Sequence, residues 1–281
     1  MIDIILCTYN SSDTIEQCVD SILNQTYRNF NLFIFDDCST DDTVEKIKSF
    51  QDDRITIICS KKNVGTYAGK NFVLKNYCNS QYVGLHDSDD FSEPERLQKQ
   101  LNFMILSSAA CVGTAVNEFW EDHEPHTISE NENSSRSRKN VYPKVIETFT
   151  LNDLLTSLEP DGNYEEYLKF KFCMNGTVLF RRDILVALGG WDGRTRIAAD
   201  TDIFIRILGL NRIYNMPEVL YNRRFHSKSL TASSNVGINS EERRNYNLAR
   251  KPVIEASLSG TPTVRDFHYP EFEYKIIRCA E

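Results

Sequence analysis

The chain has 281 residues, 41% hydrophobic and 26% charged, enough for one large globular domain or two small ones with a sizeable core. Its net charge of −8 and pI of about 5.3 exclude a nucleic-acid sheath as the main role. They leave room for an anionic ligand held through a metal ion, which reverses the local sign.

The opening "MIDIILCTYN" is too short and too acidic for a signal peptide, and the apolar run Asp3–Cys7 predicts a first strand. In "SSDTIEQCVDSILNQTY", Ile15, Cys18, Val19, Ile22 and Leu23 follow the 3.6 period of a helix, with Asp13 and Glu16 as a capping box. Asn31–Phe35 reads as the second strand. "STDDTVEKIKSF" follows as a helix with Val44, Ile47 and Phe50 near one face. Arg54–Cys59 is the third strand, and "YAGKNFVLKNYC" the helix after it. Tyr82–His86 is the fourth. "SEPERLQKQLNFMIL" then predicts a helix capped by Ser92 or Glu93, with Pro94 in its first turn and Leu97, Leu101 and Met104 on a stripe. Residues 121–140 are almost wholly polar and read as a mobile loop. "MNGTVLFRRDILVALGGWD" predicts a strand, then a helix ending at Gly189 and Gly190. "DTDIFIRILGL" is an amphipathic helix with Ile203, Ile207 and Leu208 along one side, and Ser240 to Arg250 predicts a charged helix. No apolar run reaches the length of a membrane span.

Strand and helix alternate about every 25 residues, which predicts parallel βαβ units with helices on both faces of a sheet. Ligands of such sheets bind beyond the carboxyl ends of the strands. Four polar clusters should meet there: Thr8-Tyr9-Asn10, Asp36-Asp37, Asn63-Val64-Gly65 and Asp87-Ser88-Asp89. Asp87, Asp89 and Asp90 repel one another, and a divalent cation bridging them to phosphate oxygens would relieve this. A nucleophilic aspartate or a plain acidic helix start are the other readings of the triplet. An EF-hand is excluded, because Ser92 and Gln98 stand where glycine and glutamate are needed. Asp36 or Asp37 could accept the imide N–H of a uracil ring. "NVGTYAGKN" lacks the Walker spacing, so Lys70 either faces a diphosphate or lies on the surface. The eight cysteines show neither C-x-x-C nor zinc spacing and read as buried free thiols of a reducing compartment.

Taken in order, "CTYN", "DDCSTDDT", "NVGTYAGKN", "HDSDD" with "PERLQKQ", "GGWD" and "AADTDIFIRIL" resemble the family 2 glycosyltransferases of the GT-A fold, over roughly residues 1–232. The resemblance implies an α/β, Rossmann-like, mostly parallel sheet. Residues 1–110 would form a nucleotide-binding half and 111–232 an acceptor-binding half, with 233–281 as a helical extension. It implies a nucleotide-sugar donor, UDP-sugar above all, a Mn²⁺ or Mg²⁺ ion, and inversion at the anomeric carbon. Thr8, Tyr9 and Asp37 match the family's uridine contacts, and Asn10, Asn63, Lys70, Asp87 and Ser88 stand beside them as donor-binding candidates. Asp87 and Asp89 match its D-x-D element, with Asp89 foremost as metal ligand. His226, in "RRFHSKSLT", falls where some members place a further metal ligand, or else faces solvent. Asp200 matches the general base. The usual Glu-Asp pair is here Ala199-Asp200, so Asp202 competes for that role. Trp191 either lines the sugar pocket or packs beneath it.

The implied reaction is a single displacement. An acceptor hydroxyl, on a carbohydrate or glycoconjugate, attacks the anomeric carbon while Asp200 removes its proton. Two alternatives stand beside it: a nucleotidyltransferase, for which "TYNSSDTIEQ" lacks the glycine-rich basic loop, and a non-catalytic sugar- or partner-binding module that keeps the fold. The expected setting is cytoplasmic, with the enzyme soluble or peripheral at the membrane.

Overall fold

The computed structural model describes residues 1–120, 137–140, 173–210, 213–226, 241–261 and 263–279. The greater part of the polar 121–140 segment and the whole of 155–172 lie outside these residues.

β1 (Ile2–Thr8), β2 (Phe30–Asp36), β3 (Ile55–Ser60) and β4 (Tyr82–Asp87) are parallel, in the order β3-β2-β1-β4. Their near-continuous apolar sequences suit strands covered on both faces. Alternation along β1 divides the core. Ile2, Ile4 and Leu6 face α1 (Ile15–Leu23), α2 (Thr43–Lys48) and α4 (Arg96–Ser107), whereas Ile5 faces α3 (Thr66–Asn76). The remaining strands extend the sheet past β4: β8 (Leu179–Arg181), β6 (Cys111–Trp120), β9 (Ile213–Phe225) and the two-residue β5 (Phe91–Ser92), with β7 (Ser137–Asn140) on β6. α5 (Arg182–Ala187) ends at Gly189 and Gly190, both at positive φ, and α6 (Ala199–Leu208) joins the α3 face.

Two helix starts differ from expectation. α1 begins after Thr14 and α4 after Glu95, neither with a side-chain cap bond, so Asp13 and Ser92 are not caps. Ser92 belongs instead to β5, where its N–H donates to Ser21 Oγ at 3.1 Å.

The C-terminal region is not purely helical. After α7 (Glu241–Ala249) and α8 (Lys251–Leu258), the chain lays Tyr269 and Phe272 against Phe72 of α3, with ring centroids 5.3 and 4.8 Å away. It then adds β10 (Tyr274–Arg278) antiparallel to β3, closing that edge of the sheet. Aromatic burial on α3 anchors a strand too exposed to declare itself by hydrophobicity.

Candidate active site

Register levels the strand ends. Thr8 lies opposite Asp36, and Cys7 opposite both Phe35 and Asp87. The four polar clusters therefore share one edge of the sheet. At Asn10, in the left-handed region with φ 49°, the N–H donates to Ser39 Oγ at 2.9 Å while Oδ1 accepts the Thr40 N–H at 2.8 Å. These bonds tie the β1–α1 loop to the β2–α2 loop. Tyr9 is half exposed above them.

The two aspartates after β2 have different tasks. Asp37 is buried, its Oδ1 and Oδ2 accepting the N–H groups of Val64 and Gly65 at 2.7 and 2.8 Å, and its carbonyl accepting Asn63 Nδ2 at 3.1 Å. It shapes the loop before α3. Asp36 accepts the Ser39 N–H on Oδ2 at 3.2 Å, while its buried Oδ1 has no partner among the described residues. Burial raises the pKa of both carboxyls. Of the two carboxyls, Asp36 thus has the oxygen without a partner among the described residues. Thr8 Oγ1 close by is likewise buried and without a partner among those residues.

Lys70 is not a surface lysine: it is 1% exposed, with its ammonium 5.6 Å from the Tyr67 ring centroid. Its charge acts on Asp87, lowering a carboxyl pKa that burial raises. The Tyr67 hydroxyl in turn donates to Asp200 Oδ1 at 3.3 Å. Asp87, Lys70, Tyr67 and Asp200 form one continuous wall.

The acidic triplet diverges. The Asp87 N–H donates to the buried Tyr221 hydroxyl at 3.2 Å. Ser88 faces α1, its carbonyl accepting Thr14 Oγ1 at 3.0 Å and its hydroxyl 2.9 Å from Ser11 Oγ. Asp90 turns inward, where Oδ1 accepts the Arg224 N–H at 2.8 Å. Asp89 alone points outward, with Oδ2 3.1 Å from His226 Nε2. A carboxylate oxygen and an imidazole nitrogen suit Mn²⁺, and two adjacent ligands of an octahedral ion with ~2.1 Å bonds stand about 3.0 Å apart. The pair fits such an ion. No group of three His, Cys, Asp or Glu side chains able to hold a metal occurs among the described residues.

Asp202 and Trp191 resolve by burial. Asp202 is 0% exposed, with Oδ2 accepting Arg206 Nε at 2.9 Å and Oδ1 accepting Arg265 Nη2 at 2.8 Å. It is a structural ion pair, not a base. Ala199 is also buried in the core, which leaves Asp200 as the carboxylate at the site. Trp191, 0% exposed and edge-on to Phe180 at 6.1 Å, packs beneath the pocket.

Sequence reasoning missed three buried groups under this surface. His86 lies with Nδ1 2.8 Å from the Asp87 carbonyl and Nε2 2.9 Å from Ser92 Oγ. Burial drives its pKa well below normal, so it is neutral. Nδ1–H then donates to the carbonyl and Nε2 accepts the hydroxyl proton. Arg96 donates to the carbonyls of Leu85 and Gly176 at 3.3 and 3.0 Å, beneath the Tyr221 ring. Asn71 brackets the Trp191 backbone, accepting its N–H at 2.9 Å and donating to its carbonyl at 2.8 Å. All three lie inside stretches that drew attention, His86 in "HDSDD", Arg96 in "PERLQKQ" and Asn71 in "YAGKN", but nothing in their spacing marked them as buried supports.

A parallel α/β half with a D-x-D turn and a distal carboxylate defines a GT-A nucleotide-sugar transferase fold. The sequence profile of Glycosyl transferase family 2 matches residues 3–189, more than half of the chain, and the chain belongs to that family. This membership sets aside the nucleotidyltransferase alternative. Over 127 residues it is 33% identical to the putative teichuronic acid biosynthesis glycosyltransferase TuaG of Bacillus subtilis (strain 168), covering 44% of this chain and 50% of TuaG. The match thus spans about half the length of that relative. S. aureus TarS 1-349 in complex with UDP-GlcNAc has a TM-score of 0.63 at 17% identity, covering 91% of this chain and 72% of that one. The mannosyltransferase PcManGT from Pyrobaculum calidifontis, in complex with GDP-Man and Mn²⁺, has a TM-score of 0.61 at 16% identity, covering 92% and 69%. At these identities the structural likeness fixes the fold. No helix among the described residues is long and apolar enough to cross a membrane.

Proposed function

We propose that the chain transfers a sugar from a UDP-sugar to an acceptor hydroxyl with inversion, aided by Mn²⁺ or Mg²⁺. The observation that carries this reading is the Asp89–His226 pair, 3.1 Å apart, set on the edge that also holds the Asp36 oxygen and Asp200. Residues 1–110 take the nucleotide and 111–232 the acceptor. Asp36 Oδ1 and Thr8 Oγ1 would meet the uracil, with Asp37 and Asn63 shaping its pocket and Tyr9 over it. Asp89 and His226 would hold the divalent ion, with Asp87 and Lys70 near the diphosphate. The ion, when bound, offsets the charge that grows on the departing diphosphate.

Asp200 removes the acceptor's proton. A carboxylate is a weak base, so proton transfer accompanies late C–O bond formation. Tyr67, donating to Oδ1, aims the carboxylate, and holding both reactants in line supplies much of the remaining acceleration. The metal-bound mannosyltransferase and the UDP-GlcNAc-bound neighbour support the cofactor and donor class. The teichuronic acid relative supports a role in surface polysaccharide synthesis. The cysteines are free thiols, which suits a cytoplasmic enzyme, peripheral where its acceptor is membrane-bound.

The test is Asp200→Asn. Release of UDP from UDP-sugars in the presence of Mn²⁺ should fall by a factor on the order of 10²–10⁴, while calorimetric UDP affinity stays unchanged. Undiminished turnover would remove the base assignment. A wild-type chain that neither binds UDP with Mn²⁺ nor slowly hydrolyses any UDP-sugar would be a binding module.

A further inference from the structure

We infer that Arg250, on the α7–α8 segment beyond the family match, is a positioning residue for the proposed base. This inference rests on reading Asp200 as that base. Ala198, two residues before Asp200, is the residue from which α6 starts, and it holds φ 54° and ψ 16°. That left-handed conformation is uncommon for a residue with a Cβ, and it persists only when the surroundings enforce it. The enforcing contact is visible. Arg250, 2% exposed, donates Nη1–H to the Ala198 carbonyl at 3.1 Å. The same carbonyl accepts the Asp202 N–H, at 3.4 Å, in the first turn of α6.

Arg250 is itself fixed. Its guanidinium lies 5.0 Å from the Tyr246 ring centroid, and the Tyr246 hydroxyl donates to Asp192 Oδ2 at 3.4 Å. Arg265 joins the same tail to both ends of the loop, reaching Asp192 at 3.3 Å and Asp202 at 2.8 Å. Backbone carbonyls of Arg265 and His268 pack so closely on Gly189 and Gly193 that a Cβ at either position would collide with them. Residues 246–268 therefore clamp the 189–199 loop at its start, middle and end. A further tie runs to the nucleotide side, from Arg196 Nη1 to Asn63 Oδ1 at 2.7 Å, beside the Asn71 bonds to Trp191. Without the Arg250 bond, Ala198 is free to relax to ordinary helical angles. That adds a residue to the start of α6 and swings Asp200 away from the Tyr67 hydroxyl.

The experiment compares Arg250→Met, Arg250→Lys and Arg250→Met with Ala198→Gly in the full chain, using UDP-sugar turnover, UDP calorimetry with Mn²⁺ and thermal melting. A base displaced by an ångström costs on the order of 10²-fold in rate. Arg250→Met should therefore lower kcat by at least tenfold with UDP affinity within twofold of wild type. Arg250→Lys, which keeps one donor, should recover part of kcat. Ala198→Gly should also raise kcat in the Arg250→Met background, since glycine holds positive φ unaided. A merely structural role predicts no such rescue. The inference is overturned if kcat stays within twofold of wild type in Arg250→Met, or if kcat, UDP affinity and melting temperature fall together without rescue. If Asp200→Asn keeps full turnover, the base reading itself fails. If Asp200→Asn is inactive while Arg250→Met is not, only the clamp fails.

Discussion

Gly176 is where backbone space and the acidic turn meet, and Gly176→Ala should damage both. A Cβ there would overlap the Tyr221 hydroxyl and lie 2.7 Å from Asp87 Oδ2. Neither neighbour can simply swing aside. Tyr221 is fully buried and its hydroxyl accepts the Asp87 N–H, while moving Gly176 instead strains its carbonyl's 3.0 Å bond from Arg96. Overpacking costs about 1–3 kcal/mol and a lost hydrogen bond about 1 more, a total of roughly 2–4 kcal/mol. For a domain of this size that is a fall of roughly 4–16 °C in melting temperature. Scanning fluorimetry measures it, and calorimetry of UDP with Mn²⁺ should show weakened binding, because Asp87 is displaced. Gly84→Ala on β4 is the control. Its Cβ would meet only side-chain atoms at 3.7 Å, ordinary contact, and the melting temperature should barely move. A Gly176→Ala protein that melts and binds UDP like wild type would refute the reasoning.

Asp202→Asn should lower stability more than chemistry. Breaking a buried pair costs about 3–5 kcal/mol, so the melting temperature drops steeply; Arg265 also loses one of its two anchors, so kcat of the folded fraction should fall too, though far less than in Asp200→Asn. Asp36 gives a pH signature. Burial raises its pKa, so as pH falls it gains a proton, and loses acceptor strength for the uracil imide, above the ordinary carboxylate value of about 4. Metal-free UDP binding should accordingly weaken on acidification from above that value. Asp36→Asn should bind weakly at every pH and flatten the profile, and an unchanged slope would clear Asp36 of that role.

The parallel half was legible because strands buried on both faces must be apolar throughout, and each of the four runs ended at its polar cluster. Helix faces were legible for the same reason, whereas caps were not. Asp13 and Ser92 have the right chemistry, but loop geometry took α1 and α4 elsewhere. Asp36 and Asp37 differ in a way no spacing rule reveals: the Val64 and Gly65 N–H groups each donate to an oxygen of Asp37, a contact made only by the folded chain. Asp202 did carry a signal: Arg206 stands four residues on, the spacing of a helical ion pair. β10 carried almost none, since four of the five residues of "YKIIR" are exposed. Its place is set by the aromatic residues before it.

Three aspartates in four positions raise the question of what offsets their mutual repulsion, and the fold answers differently for each. Asp90 is buried where a backbone N–H of β9 meets its carboxyl, and burial pushes its pKa well above normal. Asp87 is half-buried beside Lys70, a cation that cannot leave because its own side chain is enclosed. Asp89 is partly exposed, and the partner it faces is the imidazole of His226. A mere acidic helix start would need neither the buried lysine nor the histidine. This division of three sequence neighbours into an inward-turned, a lysine-facing and a histidine-facing carboxylate supports the cation site proposed above, with Asp89 and His226 as its ligands.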